Sequence, residues 1–426
     1  MSQNMKAEAW RCPAAVEERI LQIRSRTLQK EFDRESYASL QKELTAPEYG
    51  DSGFRQYSSQ GVYWWMKTIQ QVPFDRFREL ASEKVTVTMT TYPARMQYAV
   101  KAAASLFRQS RKPDQVFLWL AKEQFPELEG SLPDELKVLQ KEQGLKIEWC
   151  EDLKPHKKYY YTFQQIRDGV IITVDDDLEY RDDTIEMLML SYLRHPDCIS
   201  AMRVHLMAVD GERGEVLPYR YWVKETSEQT DEPGMRLMAT GAGGVLYPAG
   251  WFSDDLFDKK MIMETCLMAD DLWLKYHEVL RGYPVVQACA ERGLKVLPGS
   301  QGNALWNTNI NENDSAWQRI TEAGKKNPET EDVINLLTGN PGTASGTLFE
   351  EYCRHADTKN EESIRRLREE KKKTERLSVE IAKLREELQK AREEEARLRQ
   401  ELDRTPGALI RKAVKKILPK TEQGEK

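Results

Sequence analysis

No CxxC pair occurs in this sequence. Its six cysteines, Cys12, Cys150, Cys198, Cys266, Cys289 and Cys353, are scattered. That spacing fits neither a zinc site nor a disulfide framework and points to a reducing cytosol. Also missing is any run of about 18 apolar residues, so no segment reads as a membrane span. The opening MSQNMKAEAW holds no apolar core of signal-peptide length. A basic surplus is absent too: the formal net charge is -6, which gives no reason to expect nucleic acid as a partner.

What is present divides the chain. Its 426 residues are 40% hydrophobic and 31% charged, so a globular part with ample core and a highly charged part are expected side by side. Residues 1–82 read as an N-terminal helical region, mostly polar. There AAVEERILQIRSRTLQKEF sets Val16, Ile20, Ile23 and Leu28 roughly along one helical face. The aromatic cluster Tyr63, Trp64 and Trp65 is expected to pack against the next domain rather than to form a ligand platform.

Residues 83–322 alternate between two periodicities. KVTVTMTTYP is β-branched and alternating, a strand ending near Thr90; MQYAVKAAASLFRQS follows as a helix. DQVFLWLA, LKIEWCED and VIITVDDD read as the next three strands, with PDELKVLQKEQG and YYYTFQQIRDG as helices between them. Strands alternating with helices imply an α/β domain with a mainly parallel sheet covered on both faces. Ligands of such sheets bind outside the carboxyl ends of the strands, where TTYPAR, CEDLK and DDD all fall.

Residues 323–358 carry clusters such as LTGNPGTASGT and read as a linker with room for one short helix. Residues 359–404 read as a coiled coil. Leu367, Thr374, Ile381, Leu388, Glu395 and Leu402 take position a, and Glu370, Leu377, Leu384, Ala391 and Leu398 take position d. A homo-oligomer through 367–402 is the expectation; the alternative is a single solvated helix held by ion pairs one turn apart. The final stretch, 405–426, is a basic amphipathic helix. Leu409, Ile410, Ala413, Val414 and Ile417 face one way, and Arg411, Lys412, Lys415 and Lys416 the other. Residues 405–420 therefore suit an anionic membrane surface, and peripheral attachment to the inner face of the plasma membrane is expected. One short tail binds weakly, and several gathered by a coiled coil bind far better.

The chemistry gathers at strand ends. In an extended segment side chains two apart point the same way, so Asp175 and Asp177 are expected to face one site while Asp176 points elsewhere. Two hard oxygen ligands suit Mg²⁺ or Mn²⁺ carrying a substrate diphosphate, and the metal would offset the repulsion of three adjacent carboxylates. A bare DxD is a weak signal that gains force from its place after a buried strand. Downstream, Gly241, Gly243 and Gly244 allow close approach to a ligand or simply make a tight turn. Asp270 and Asp271 open a helix, as dipole partners or as a general base. Spacing does not choose between these.

The ordered set TMTTYPAR, LWLAKEQFP, WCEDLKPHKK, ITVDDDLEY, TGAGGVLYP, ADDLWL and LWNTNINEND resembles bacterial glycosyltransferases of the GT-A fold, close to the family 2 enzymes of surface polysaccharide biosynthesis, over about residues 83–320. The resemblance implies roles. Thr90, Thr91 and Tyr92 would line the nucleotide pocket, Asp152 would recognise the base, and Lys157 or Lys158 would approach the nucleotide or diphosphate. Asp175 would contact the ribose side, with Asp176 counted in the nucleotide-sugar set, and Asp177 the metal, shared with Asp175. Gly241, Gly243 and Gly244 would border the donor sugar and acceptor. ADD takes the place of the family's Glu-Asp pair, making Asp271 the base and Asp270 its neighbour. His205 and Trp306 are placed near the site, each also an ordinary packing residue. The QxxRW motif of processive synthases is absent, which implies single additions. The implied reaction is inverting, metal-dependent transfer from a nucleotide diphosphate-sugar, by default a UDP-sugar, to a hydroxyl of a glycan or lipid-linked acceptor. A sugar nucleotidyltransferase and a non-catalytic coiled-coil scaffold at the membrane are the competing readings. The first lacks a glycine-rich, basic signature near the first strand, and the second leaves the DxD and Asp pairs without a purpose.

Overall fold

The computed structural model describes residues 14–46, 49, 60–210, 214–289, 294–300, 306–326 and 333–339, with scattered positions between 365 and 410. Two units make up the chain, Met1–Asn360 and Glu361–Lys426.

The first unit is built on a sheet. Its strands in chain order are β1 (Val85–Thr90), β2 (Gln115–Ala121), β3 (Lys146–Cys150), β4 (Val170–Thr173) and β5 (Ile199–Ala201). The short strands β6 (Val204–Leu206), β7 (Val209–Asp210), β8 (Glu215–Val216) and β9 (Leu237–Ala239) follow, and β10 (Val245–Pro248) and β11 (Val285–Gln287) complete the set. Seven of them form one sheet in the order β11-β5-β10-β4-β1-β2-β3, while β6 pairs with β9 and β7 with β8 in two-stranded ribbons. All neighbours in the large sheet run parallel except β10, which is antiparallel to β4 and β5. The mainly parallel α/β expectation therefore holds. The reversed strand arises because, among the described residues, ribbon strands rather than a crossover α-helix separate β5 from β10.

Alternation along each strand feeds two layers. Val116, Leu118 and Leu120 of β2 join the main core with Val85, Val87 and Met89 of β1. Phe117 and Trp119 project to the opposite face, where Trp119 stacks on Tyr161 with ring centroids 4.9 Å apart. Strands buried on both faces read as near-continuous apolar runs, as VIIT of β4 does.

The N-terminal helices Ala14–Leu28, Arg34–Leu44 and Gln60–Gln71 belong to the same core. Asp33 caps the second by accepting from the backbone N–H groups of Glu35 and Ser36. Ile20, Leu40 and Ile69 are fully buried, each burial contributing roughly 1.5–3 kcal/mol. Trp64 and Trp65 are packed into this core, in line with the packing reading of the aromatic cluster. A polar bolt reinforces it. Glu186, on the helix Thr184–Arg194, accepts from Arg24 Nε at 2.7 Å, Arg24 Nη2 at 2.8 Å, Trp65 Nε1 at 2.5 Å and the Ser110 hydroxyl.

Within the expected linker, Trp306–Lys325 ends as a helix and Val333–Gly339 forms a short one whose Val333 and Leu337 are buried. In the second unit the described positions between 365 and 410 are helical, and Leu377, Leu384, Leu388, Leu409 and Ile410 are exposed. Leu367, Glu370, Thr374, Ile381, Glu395, Leu398, Leu402 and most of the basic tail lie outside the described residues. Among the described residues no helix is long and apolar enough to cross a membrane.

Candidate active site

A cleft of about 750 Å³ opens at the carboxyl ends of β1 and β4, on the side where β3 also ends. Thr90, Thr91 and Tyr92 leave β1 along its wall, Lys157 and Lys158 reach it from the helix Lys157–Gln165, and Asp175 to Asp177 follow β4. Asp270 and Asp271 enter from the first turn of the helix Asp270–Leu280. Ten of the sequence-selected residues thus meet in one cavity.

The aspartate triplet differs from the alternating expectation. Strand β4 stops at Thr173 and the chain turns at Asp176 and Asp177, so all three carboxylates line the cleft. Asp176 Oδ2 accepts from the Thr91 hydroxyl at 2.5 Å. Arg95 Nη2 lies 3.1 Å from Asp176 Oδ1 and 2.6 Å from Asp177 Oδ2. Asp175 Oδ1 pairs with Lys158 Nζ at 2.9 Å, and Tyr180 pins the Asp175 backbone at both its N–H and its carbonyl. Protein cations therefore offset part of the repulsion that the sequence assigned to a metal.

They do not offset all of it. Burial pushes Asp176 up to about 6 against the pull of Arg95 and the Thr91 hydroxyl. Burial and the neighbouring Asp175 raise Asp177 as well. Asp175 is lowered, because Lys158 overcomes the cost of burial.

Lys158 is the hub of the floor. Its Nζ lies 2.8 Å from Asp270 Oδ2 and 3.9 Å from Asp271 Oδ1, besides the contact with Asp175. Asp271 accepts the Gly241 backbone N–H at 3.2 and 3.3 Å. Removal from water and the adjacent Asp270 push the Asp271 carboxyl up to about 7, within the range of a general base working near neutral pH. Gly241 makes the packing possible: a Cβ there would lie 2.7 Å from Asp175 Oδ1 and collide with Lys158 Nζ. Gly243 and Gly244 adopt φ of +93° and +105°, values that glycine alone takes without strain. Ala242 between them and Gly241 lines the cleft, whereas the three glycines shape it from behind.

Asp152 also stands behind the wall. Lys154 Nζ and Lys157 Nζ (2.9 Å) and Gln124 Nε2 (2.9 Å) all donate to it. Burial would raise it, and the two lysines override this and hold it at about 2. His205 is buried outside the cleft, where its Nδ1 accepts the Glu225 N–H at 3.0 Å. The Trp306 side chain lies outside the described residues.

Sequence reasoning missed the polar lining residues Arg95, Gln124, Lys154, Arg203 and Glu225. Arg95 stands inside TTYPAR, and only the fold brings it to Asp176 and Asp177. Nothing in the local sequence marks Arg203 or Glu225.

Among the described residues no group of three or more His, Cys, Asp or Glu side chains is arranged to hold a metal ion by itself. The donor chemistry nevertheless fits a divalent ion that arrives with its ligand. Mg²⁺ is commonly held by one or two carboxylates plus substrate phosphates, and Asp175 and Asp177 supply such a pair. Six carboxylates and five Lys or Arg side chains line the cleft, an excess of negative charge into which a diphosphate would bring more.

No protein-family model matches the chain, and no curated protein matches it. Similar solved structures include residues 1-349 of S. aureus TarS in complex with UDP-GlcNAc, 15% identical over 52% of this chain and 61% of that one, with a TM-score of 0.34. The mannosyltransferase PcManGT from Pyrobaculum calidifontis, in complex with GDP-Man and Mn2+, is 10% identical over 76% of this chain and 81% of that one, TM-score 0.37. A 4-diphosphocytidyl-2C-methyl-D-erythritol synthase is 9% identical over 54% of this chain and 99% of that one, TM-score 0.31. The functional reading rests on the chain's own residues.

Proposed function

We propose that this chain is a GT-A-type glycosyltransferase. It moves a sugar from a nucleotide diphosphate donor, UDP by default, to a hydroxyl of a glycan or lipid-linked acceptor. The observation that carries the reading is the convergence of Asp175, Asp270 and Asp271 on Lys158, with Asp177 held by Arg95 beside them, in one cleft at the carboxyl ends of a mainly parallel sheet.

In this reading Thr90, Thr91 and Tyr92 border the nucleotide, Asp152 acts from behind the wall by orienting Lys154 and Lys157 toward the base, and Arg95 and Lys158 meet the diphosphate. Asp177 and Asp175 would hold Mn²⁺ or Mg²⁺, which supplies Lewis-acid charge for a departing diphosphate when bound. Asp271 takes the proton of the acceptor hydroxyl as its oxygen attacks the anomeric carbon. The Gly241 N–H and the Lys158 ammonium, which Asp270 holds in turn, fix the orientation of that carboxylate. One displacement with a base and no covalent intermediate inverts the anomeric centre.

The second unit serves as a gathering device. Exposed Leu377, Leu384 and Leu388 on helical positions support self-association. The tail then places catalytic domains at an anionic membrane. Deleting 405–426 should abolish flotation with anionic vesicles without changing the mass by light scattering; unchanged flotation would end the membrane reading.

The catalytic reading is tested by incubating the full chain with Mn²⁺ and a panel of nucleotide sugars and following release of the nucleoside diphosphate. Donor-selective release that vanishes in Asp271→Asn is expected. Release that is equal in the variant, or absent for every donor with no nucleotide binding, would overturn it.

A further inference from the structure

A second cavity, of about 280 Å³, adjoins the cleft. Leu178, Arg203, Glu225, Leu294 and Val296 line both. Part of this shared wall is Leu294–Leu297 laid against Asp177–Glu179. Leu178 and Val296 form an antiparallel bridge, Leu297 N–H donates to Asp177 O at 2.9 Å, and Glu179 N–H donates to Lys295 O at 2.9 Å. The segment that closes the small cavity is therefore fastened to the aspartate triplet itself. Leu294 and Val296 are apolar, yet 38% and 40% exposed.

Glu225 is held as deliberately. Its φ of +52° lies in the left-handed region that side-chain-bearing residues rarely adopt. Buried His205 Nδ1 accepts its N–H, and its carboxylate accepts from Arg203 Nη1 at 3.1 Å. Arg203 Nε in turn donates to the Thr240 hydroxyl at 2.8 Å. The next residue, Gly241, donates to Asp271. Hydrogen bonds and the one backbone step from Thr240 to Gly241 thus connect the mouth of the small cavity with the proposed base.

The occupant's chemistry follows from charge and size. Each cation that lines the small cavity has a carboxylate partner: Arg203 with Glu225, Arg181 with Asp183 at 3.5 Å, Lys295 with Glu179 at 2.5 Å. An anion would compete with the carboxylate of one of these pairs for its cation, and a neutral group would not. The volume falls just under the ~300–1,000 Å³ of sites for drug-sized ligands, room for a single ring rather than a chain.

We infer that the small cavity seats the terminal unit of the acceptor, a neutral polyhydroxylated ring. Its C–H face lies on Leu294 and Val296, and its hydroxyls pair with Glu225 and Arg203. Glu225 is then a specificity-determining residue. The inference rests on the sugar-transfer reading above, and it deepens that reading by assigning the acceptor's charge and place.

The test uses the full chain loaded with UDP and Mn²⁺. Binding of a neutral methyl hexoside and of a hexose phosphate is followed by saturation-transfer NMR. The neutral glycoside should bind and the phosphate should bind more weakly. Met202→Trp, whose side chain borders the small cavity and not the main cleft, should weaken the glycoside about tenfold or more, some 1.4 kcal/mol, and leave UDP affinity within about twofold. Glu225→Ala should weaken it similarly, with Glu225→Gln recovering part of the loss, so the result does not hang on one bulky substitution. Failure of UDP to bind the wild-type chain would overturn sugar transfer itself. UDP binding with no glycoside binding, with equal glycoside affinity in Met202→Trp and Glu225→Ala, or with preference for the phosphate, would overturn the cavity assignment alone.

Discussion

Two buried ionic clusters in the first unit are near mirror images. At one, the single carboxylate of Asp231 meets three bases: Lys67 Nζ at 2.8 Å, Arg194 Nε at 2.9 Å and His195 Nε2 at 2.8 Å. At the other, the single ammonium of Lys158 meets Asp175, Asp270 and Asp271. The first ties the helix Gln60–Gln71 to the helix Thr184–Arg194, and none of its four residues lines the cleft. Burial works against its charge, but Arg194 and His195 win and hold Asp231 far below the usual carboxylate range. In the second, three negative charges share one positive charge and Asp271 rises to about 7, so the cluster's charge is not balanced from within. A satisfied polar network fixes a structure, whereas an unsatisfied one costs stability and persists where a ligand completes it. The contrast separates the brace from the site.

The largest effect that would sharpen this contrast is on turnover. Asp271→Asn should cut the rate about 10²–10⁴-fold, the usual contribution of a positioned base, with nucleoside diphosphate affinity nearly unchanged. Steady-state kinetics and calorimetry check both halves. An active Asp271→Asn beside a dead Asp270→Asn would transfer the role to the neighbour.

Next comes stability. Asp231→Asn leaves the buried Arg194 side chain and the partly buried Lys67 without this counter-charge, and should cost about 3–5 kcal/mol in urea unfolding. The same change at Asp271 relieves repulsion, so ligand-free Asp271→Asn should be no less stable than wild type near pH 8. Equal losses in both variants would erase the distinction between brace and site.

A smaller effect is the pH dependence of stability without ligand. Asp176 and Asp271 have raised folded-state values, about 6 and about 7. Their contribution is fully present below the unfolded carboxylate value near 4 and is lost as pH rises through 6 and 7. Asp231, being depressed, contributes above that unfolded value and loses its share as pH falls toward its folded value. Urea midpoints between pH 5 and 8 should therefore fall less steeply in Asp271→Asn than in wild type. Parallel slopes would contradict the raised value.

The strands and the strand-end aspartates were legible because both are local. Runs such as VTVTMT and VIIT need no distant partner to be read, and DDD at a strand end calls for a cation wherever the chain goes. The antiparallel β10 was not legible, since GVLYP is an apolar strand in either direction and its sense depends on the ribbons before it. Nor were Arg95, Arg203 and Glu225 assigned. Their roles exist only once β1, β4 and the segment Leu294–Leu297 are side by side. The Asp231 brace was hidden for the same reason: Lys67, Arg194 and Asp231 are scattered in sequence and each reads alone as surface charge.

Calorimetric titration of UDP with Mn²⁺ into wild type, Asp177→Asn and Asp231→Asn, at a temperature where all three are folded, tests the central claim most directly. Wild type and Asp231→Asn should bind alike, and Asp177→Asn should lose metal-dependent binding. Binding retained in Asp177→Asn with its metal dependence intact, or lost in folded Asp231→Asn, would contradict the assignment of the Lys158 cluster and its neighbouring aspartates as the donor site.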